Sequence, residues 1–257
     1  VVNILGNPND FNAIDKIIGD KEIVLLEDNC ESMGAKFDNR YTGTFGLIGS
    51  FSSFYSHHIS TMEGGILLTN DEEIFHIALA LRAHGWTRNL PEKNKVSGTK
   101  SNDPFEESWR FVLPGYNLRP TEMSGALGRE QLKKLSKIIA QRRANGTILQ
   151  NMLADHPNFI IQSEIGQSSW FGFSLVLRPE FKSRRSELLK ILIGLGFEIR
   201  PIVSGNFVKN PVLQMMEYTV SGSLENANYV DQSGLMVGNH HYSLSEAIYI
   251  LSQIRMT

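Results

Sequence analysis

Residues 50–65 read SFSSFYSHHISTMEGG. The aromatic and Ser-containing run over 48–55 predicts a strand, and 65–69 predicts another beyond the Gly64-Gly65 pair. Upstream, residues 23–26 form a short, wholly apolar run. A strand without polar alternation is usually buried on both faces, as in a parallel sheet, and this one ends at Glu27-Asp28. Downstream, Asn70-Asp71 caps a helix running to about Arg82. Asn7-Pro8 reads as an earlier helix start, with Ile14, Ile17 and Ile18 at helical spacing and Gly19 as the stop. Alternating strands and helices predict an α/β layered domain.

Residues 85–113 are polar and loop-like, a length that in a compact domain is usually functional. Thr121 starts a long helix to about Arg143. The character changes after His156-Pro157, where 170–177 reads as a strand, 183–193 as a helix stopped by Gly194, and 198–202 as a strand. The predicted organisation is a large domain over 1–145 and a smaller α+β domain over 146–257. The first residues, Val1-Val2-Asn3-Ile4-Leu5-Gly6, read as the tail of a buried strand, so an upstream piece of the large domain is expected to be absent.

Composition limits the function. The chain has 257 residues, 41% hydrophobic and 20% charged, which is ample for a core. A net charge of −2 without a Lys/Arg run argues against nucleic-acid binding. No apolar run approaches the ~20 residues of a membrane span. Cys30 is the single cysteine, so disulfides within the chain and a Cys-ligated iron–sulfur cluster built by it alone are excluded; a reducing cytoplasm is the expected setting.

Certain residues are suited to chemistry. Asp28 ends an apolar strand, where open α/β sheets place ligands, but an Asp there also caps turns. Ser50, Ser52 and Ser53 are hydroxyl donors on the next strand, able to hold an anion without adding charge. His57 and His58 can each exchange a proton near neutrality; a metal ligand or a packed loop His are the alternatives. No ligand-like spacing surrounds the pair, so no metal is expected. Arg119 offers a planar double donor, and His84, Arg88 and Arg200 are further candidates for binding a charged substrate. Trp109 and Trp170 read as core.

The segments Glu27-Asp28-Asn29-Cys30-Glu31-Ser32-Met33-Gly34, residues 50–65, and Gly115-Tyr116-Asn117-Leu118-Arg119-Pro120 together resemble the DegT/DnrJ/EryC1/StrS sugar aminotransferases, over essentially the whole chain. The resemblance implies the aspartate-aminotransferase-like fold (fold type I), with a mostly parallel sheet and pyridoxal 5′-phosphate (PLP) as cofactor. Asp28 would pair with the pyridine nitrogen, Glu31, where Gln is commoner, would lie near the ring hydroxyl, and Ser52 would bind the phosphate. Asn117 would reach the phosphate of a partner's PLP, so the resemblance implies a homodimer with shared sites. At the position of the family's cofactor lysine stands His57. A Lys amine forms a Schiff base with PLP; an imidazole cannot. The nearest lysines, Lys36 and Lys93, are out of register.

The substitution resembles the dehydratase branch of the family. It implies PLP and pyridoxamine phosphate held non-covalently, glutamate as amino donor, and His57 as the base. The expected reaction is 3-dehydration of a nucleotide-linked, GDP-linked, 4-keto-6-deoxyhexose, giving a 3,6-dideoxy ketosugar for surface polysaccharide and ammonia. Arg119, His84, Arg88 and Arg200 would contact the substrate. An ordinary sugar aminotransferase and a non-catalytic binding module of the same fold are the alternatives.

Overall fold

The computed structural model describes residues 1–256, and the chain divides into two compact units, 1–3 with 9–135 and 4–8 with 136 onward. In the first unit, β1 (Leu26–Asp28) pairs in parallel with β4 (Ile48–Ser52), and β4 pairs antiparallel with β5 (Gly65–Leu68). The two-residue strands β2 (Lys36–Phe37) and β3 (Arg40–Tyr41) form a hairpin between them. The mostly parallel sheet is therefore represented here by one parallel and one antiparallel pairing. Residues 1–3 lie along β1: Asp28 N–H donates to Val1 O at 2.9 Å and Asn3 N–H to Asp28 O at 3.0 Å.

Helix α1 (Phe11–Ile18) is capped by Asp10, whose side chain accepts from Ala13 N–H, and stops at Gly19. Asn7 is therefore not the cap. Its side chain donates to Ser163 O and accepts from Ile165 N–H, tying its own segment into the second unit. The strand expected at 23–26 is displaced to 26–28, and Val24 and Leu26 are 64% and 51% exposed, not buried on both faces. Val1 and Val2 are exposed as well. On its outer side β1 meets residues 1–3 through a parallel bridge, Val2 to Asp28. Helix α2 (Glu72–Leu81) takes Asp71 as its cap, bonded to Ile74 N–H.

Residues 85–113 carry more structure than their polarity suggests. They hold a hairpin of β6 (Lys93–Asn94) and β7 (Gly98–Thr99), then the short α3 (Pro104–Ser108). The Ser101 N–H, the Arg110 guanidinium and the Thr87 hydroxyl hold the Glu107 carboxyl down at about 2 and tie this segment together. The long helix predicted from Thr121 is two helices, α4 (Glu122–Leu132), capped by Thr121, and α5 (Leu135–Leu153).

The second unit has an antiparallel sheet of β8 (Phe159–Ile161), β9 (Gly172–Leu177), β10 (Ile199–Arg200) and β11 (Gly234–Gly238), in the order β10-β11-β9-β8. Helices α5, α6 (Arg185–Gly194), α7 (Glu225–Ser233) and α8 (Ser245–Gln253) belong to this unit. Its core includes Leu149, Leu153, Trp170, Phe173, Leu175 and Leu188. Trp170 rests directly on α5 at Gly146, where an added Cβ would come within 2.5 Å of the indole. Buried polar groups pin the same helix. Arg142 donates to Phe171 O and Asn239 O, and Asn145 Nδ2 donates to Asn239 Oδ1 at 2.9 Å. Burial lowers Arg142 to about 10, still a cation at neutral pH. Among the described residues no helix is long and apolar enough to cross a membrane.

Leu149 is fully buried in this core. Leu149→Ala is expected to lower unfolding free energy by about 2–5 kcal/mol, read as a reduced urea midpoint. A change below about 1 kcal/mol would mean that the core closes over the lost methyls.

Candidate active site

Asp28 ends β1 opposite Ser50 of β4 in the parallel register. Its Oδ1 accepts the Cys30 N–H at 3.0 Å, so Asp28 does close the following turn. That contact uses one carboxylate oxygen, so turn closure and ligand binding are compatible. The Cys30 thiol lies against the same carboxylate. Burial first, then the hydrogen bond and charge of Asp28, push that thiol up to about 12. Cys30 is thus a neutral donor to Asp28 at physiological pH. Asn29, fully buried, accepts from Asn3 Nδ2 at 2.7 Å and from the Ser32 hydroxyl at 3.0 Å, which fixes the turn from below. A cleft of about 360 Å³ lies here, lined by Val1, Val2, Leu26, Glu27, Asp28, Ile48 and Ser50.

Ser50 and Ser52 leave β4 on the same face, since strand side chains alternate. Ser52 Oγ accepts the Phe54 N–H at 3.1 Å, which leaves its proton to donate. Ser53 is removed as a rival: it is buried and its hydroxyl is shared with Thr61 at 2.7 Å. Gly64 is required by that contact, because a Cβ there would meet Ser53 Oγ at 2.5 Å and Thr61 Oγ1 at 2.6 Å.

His57 and His58 lie in the turn after β4, not in the strand. The His57 N–H donates to Phe54 O at 3.0 Å, and its ring stands edge-on to Phe54 at 5.9 Å. His58 is 3% exposed whereas His57 is only partly buried, so His57 is the one more open to a ligand. Glu31 is half-buried one residue beyond Cys30. No lysine occurs between Lys36 and Lys93, so this stretch contains no amine to anchor a carbonyl. Among the described residues no three His, Cys, Asp or Glu side chains gather as a metal site would require.

Asn117, Arg119 and His84 form a second group. Tyr116 N–H donates to Leu81 O at 2.6 Å, His84 N–H to Tyr116 O at 2.8 Å, and Leu118 N–H to Arg82 O at 2.9 Å, so residues 81–84 and 116–118 run side by side. Glycine makes the approach possible: a Cβ on Gly115 would lie 2.1 Å from Gly85 N, and one on Gly85 1.6 Å from Leu113 O. Asn117 and Arg119 are exposed. The Arg88 guanidinium sits 3.9 Å over the Trp86 ring. Trp109 stacks on Trp86 but is 69% exposed, so the core reading of Trp109 is wrong; Trp170 is core. Trp86 occupies the buried place and Trp109 only covers it. Arg200 lies on β10 in the second unit, exposed and 2.5 Å from Glu198.

The first group is a carboxylate at a strand end, hydroxyls on the adjacent strand, and an imidazole in the turn beyond. A ring nitrogen that must keep a proton suits the first, a phosphate the second, and proton transfer the third. The donor set therefore fits PLP. Sequence reading passed over Ser50 as the register partner of Asp28, although the shared sheet was predicted. It also passed over Glu27, whose only signal was its place beside Asp28.

The model of the DegT/DnrJ/EryC1/StrS aminotransferase family matches residues 1–254. The chain is 58% identical over 254 residues to a GDP-4-keto-6-deoxy-D-mannose 3-dehydratase of Escherichia coli O55:H7, covering 98% of this chain and 66% of that protein. Two solved structures superpose with a TM-score of 0.96 and cover 98% of this chain and 66% of theirs. One is a GDP-4-keto-6-deoxymannose-3-dehydratase mutant with bound GDP-perosamine, at 57% identity. The other is the same enzyme with a trapped PLP-glutamate geminal diamine, at 58%. The chain thus spans just under two thirds of the relatives it matches.

With its thiol at about 12, Cys30 is expected to react with a thiol reagent at pH 8 roughly a thousandfold more slowly than a free cysteine, and faster as pH rises. Labelling at the free-cysteine rate would show that the thiol is not held against Asp28.

Proposed function

This chain belongs to the DegT/DnrJ/EryC1/StrS aminotransferase family, and from that premise we propose that it catalyses 3-dehydration of a nucleotide-linked 4-keto-6-deoxyhexose, namely GDP-4-keto-6-deoxy-D-mannose. The amino donor is glutamate, and the products are the 3,6-dideoxy ketosugar and ammonia. The observation that carries this reading is His57 in the turn after β4, at the position the resemblance gives to the family's lysine, following the strand that pairs with the one ending at Asp28. The molecules bound in the similar structures, GDP-perosamine and a PLP-glutamate adduct, support the choice of nucleotide sugar, cofactor and donor.

When bound, PLP and its pyridoxamine form supply an electron sink that lets a carbon-bound proton and then the C3 hydroxyl depart. The residues of this chain do the rest. Asp28 keeps the proton on the ring nitrogen. Ser52 would donate its hydroxyl to the phosphate, and Glu31 would serve the ring hydroxyl. The His57 imidazole takes a proton from carbon and returns one to the departing C3 oxygen, a pair of tasks one imidazole performs near neutral pH. An imidazole, unlike a lysine amine, forms no covalent link to the cofactor at any stage. With no amine in the stretch, these residues hold the cofactor without a covalent bond.

Asn117, Arg119, His84 and Arg88 belong to a different group from His57, and Asn117 and Arg119 are exposed. We assign them, with Arg200, to the substrate and to the phosphate of a second copy's cofactor, in a homodimer with shared sites. The setting is the cytoplasm, where Cys30 remains a thiol.

His57→Asn removes the proton-transferring group while keeping a polar side chain of similar size. In the intact protein with substrate and glutamate, ammonia release is expected to fall about 10²–10⁴-fold with PLP binding preserved. Retained turnover would remove His57 from its role.

A further inference from the structure

Glu27 precedes Asp28 on β1 and is 1% exposed. A buried carboxylate ordinarily needs a cation or several strong donors. Among the described residues no ion pair involves Glu27. Its partners are backbone amides instead: Gly43 N–H at 2.6 Å to Oε2, and Phe45 N–H at 2.5 Å and Gly46 N–H at 2.7 Å to Oε1. Three converging N–H groups make a backbone nest for an anionic group, occupied here by a side chain.

The segment that forms this nest leads straight into β4. It is pressed onto both strands of the site. Leu47 N–H donates to Leu25 O at 2.8 Å. A Cβ on Gly46 would meet Leu25 O at 2.4 Å, and one on Gly49 would meet Gly43 O at 2.2 Å. Phe45 is stacked on Phe11 at 3.9 Å. The segment therefore cannot shift without moving β4 along β1, and a slip there would separate Asp28 from Ser50.

We propose that Glu27 is a positioning residue: by gripping residues 43–46 through three amides it sets the β1/β4 register that holds Asp28 beside Ser50 and aims Asp28 at the cofactor's ring nitrogen. This rests on the PLP reading above, though the grip itself does not. The role of Glu27 is exerted through Asp28 and β4.

Glu27→Gln keeps size and one acceptor but turns an amide donor toward a backbone N–H. Two readouts separate the grip from the cofactor. In the unloaded protein, hydrogen exchange of the Gly43, Phe45 and Gly46 amides is expected to quicken at least tenfold. In the PLP-loaded protein, Kd is expected to rise at least tenfold, and the ¹⁵N shift of ring-labelled PLP to move toward the unprotonated nitrogen. Asp28→Asn should show the ring-nitrogen change with the three amides as slow as in wild type. If Glu27→Gln does not fold, Glu27→Asp, which retains the carboxylate but shortens its reach, should show both changes at smaller size. Unchanged exchange in a folded Glu27 variant overturns the grip, and faster exchange with unchanged Kd and ¹⁵N shift overturns the link to Asp28. Wild-type protein that takes up no PLP instead sinks the functional reading, and with it the link from Glu27 to a cofactor.

Discussion

The parallel pairing of β1 with β4 is the constraint on which the site depends. Three rungs, Leu26 to Ile48, Glu27 to Gly49 and Asp28 to Ser50, put the carboxylate that ends β1 beside a hydroxyl in the middle of β4. Parallel strands have no hairpin to fix their register, so something else must. Here the chain between them does so. It closes a small hairpin, stacks Phe45 on Phe11, and lays Gly43 and Gly46 so close to the strands that no side chain would fit. The site's geometry is thus a packing result before it is a chemical one.

Against that frame, His57 is a change of chemistry without a change of scaffold. The turn that carries it keeps its local restraints, the bond to Phe54 O and the Ser53–Thr61 contact that demands Gly64. An amine at this point can anchor the cofactor covalently, whereas an imidazole cannot and is left only the exchange of protons.

Much of this was legible in the sequence because it rests on local rules. Asp71 and Thr121 were readable as helix starts since a short polar side chain there bonds the first free N–H groups. Asp28, Ser52 and His57 were readable by type and spacing. What was not legible depends on contacts distant in sequence. The cap of α1 moved from Asn7 to Asp10 because Asn7 is used by Ser163 and Ile165, more than 150 residues away. The apolar run at 23–26 promised a strand there, but the pairing with residues 48–50 that sets its register begins at Leu26. Trp86 and Trp109 have equal claims on the core by type, and only packing decides that Trp86 is inside. Glu27 looked like an ordinary charge beside Asp28, because its partners are backbone amides that carry no sequence signal.

If His57 makes this a site that removes a hydroxyl and transfers no nitrogen to the sugar, the products formed by the intact protein from GDP-4-keto-6-deoxy-D-mannose, glutamate and PLP are decisive. A 3,6-dideoxy ketosugar with one ammonia released per sugar consumed is expected. An amino sugar formed without ammonia would overturn the assignment.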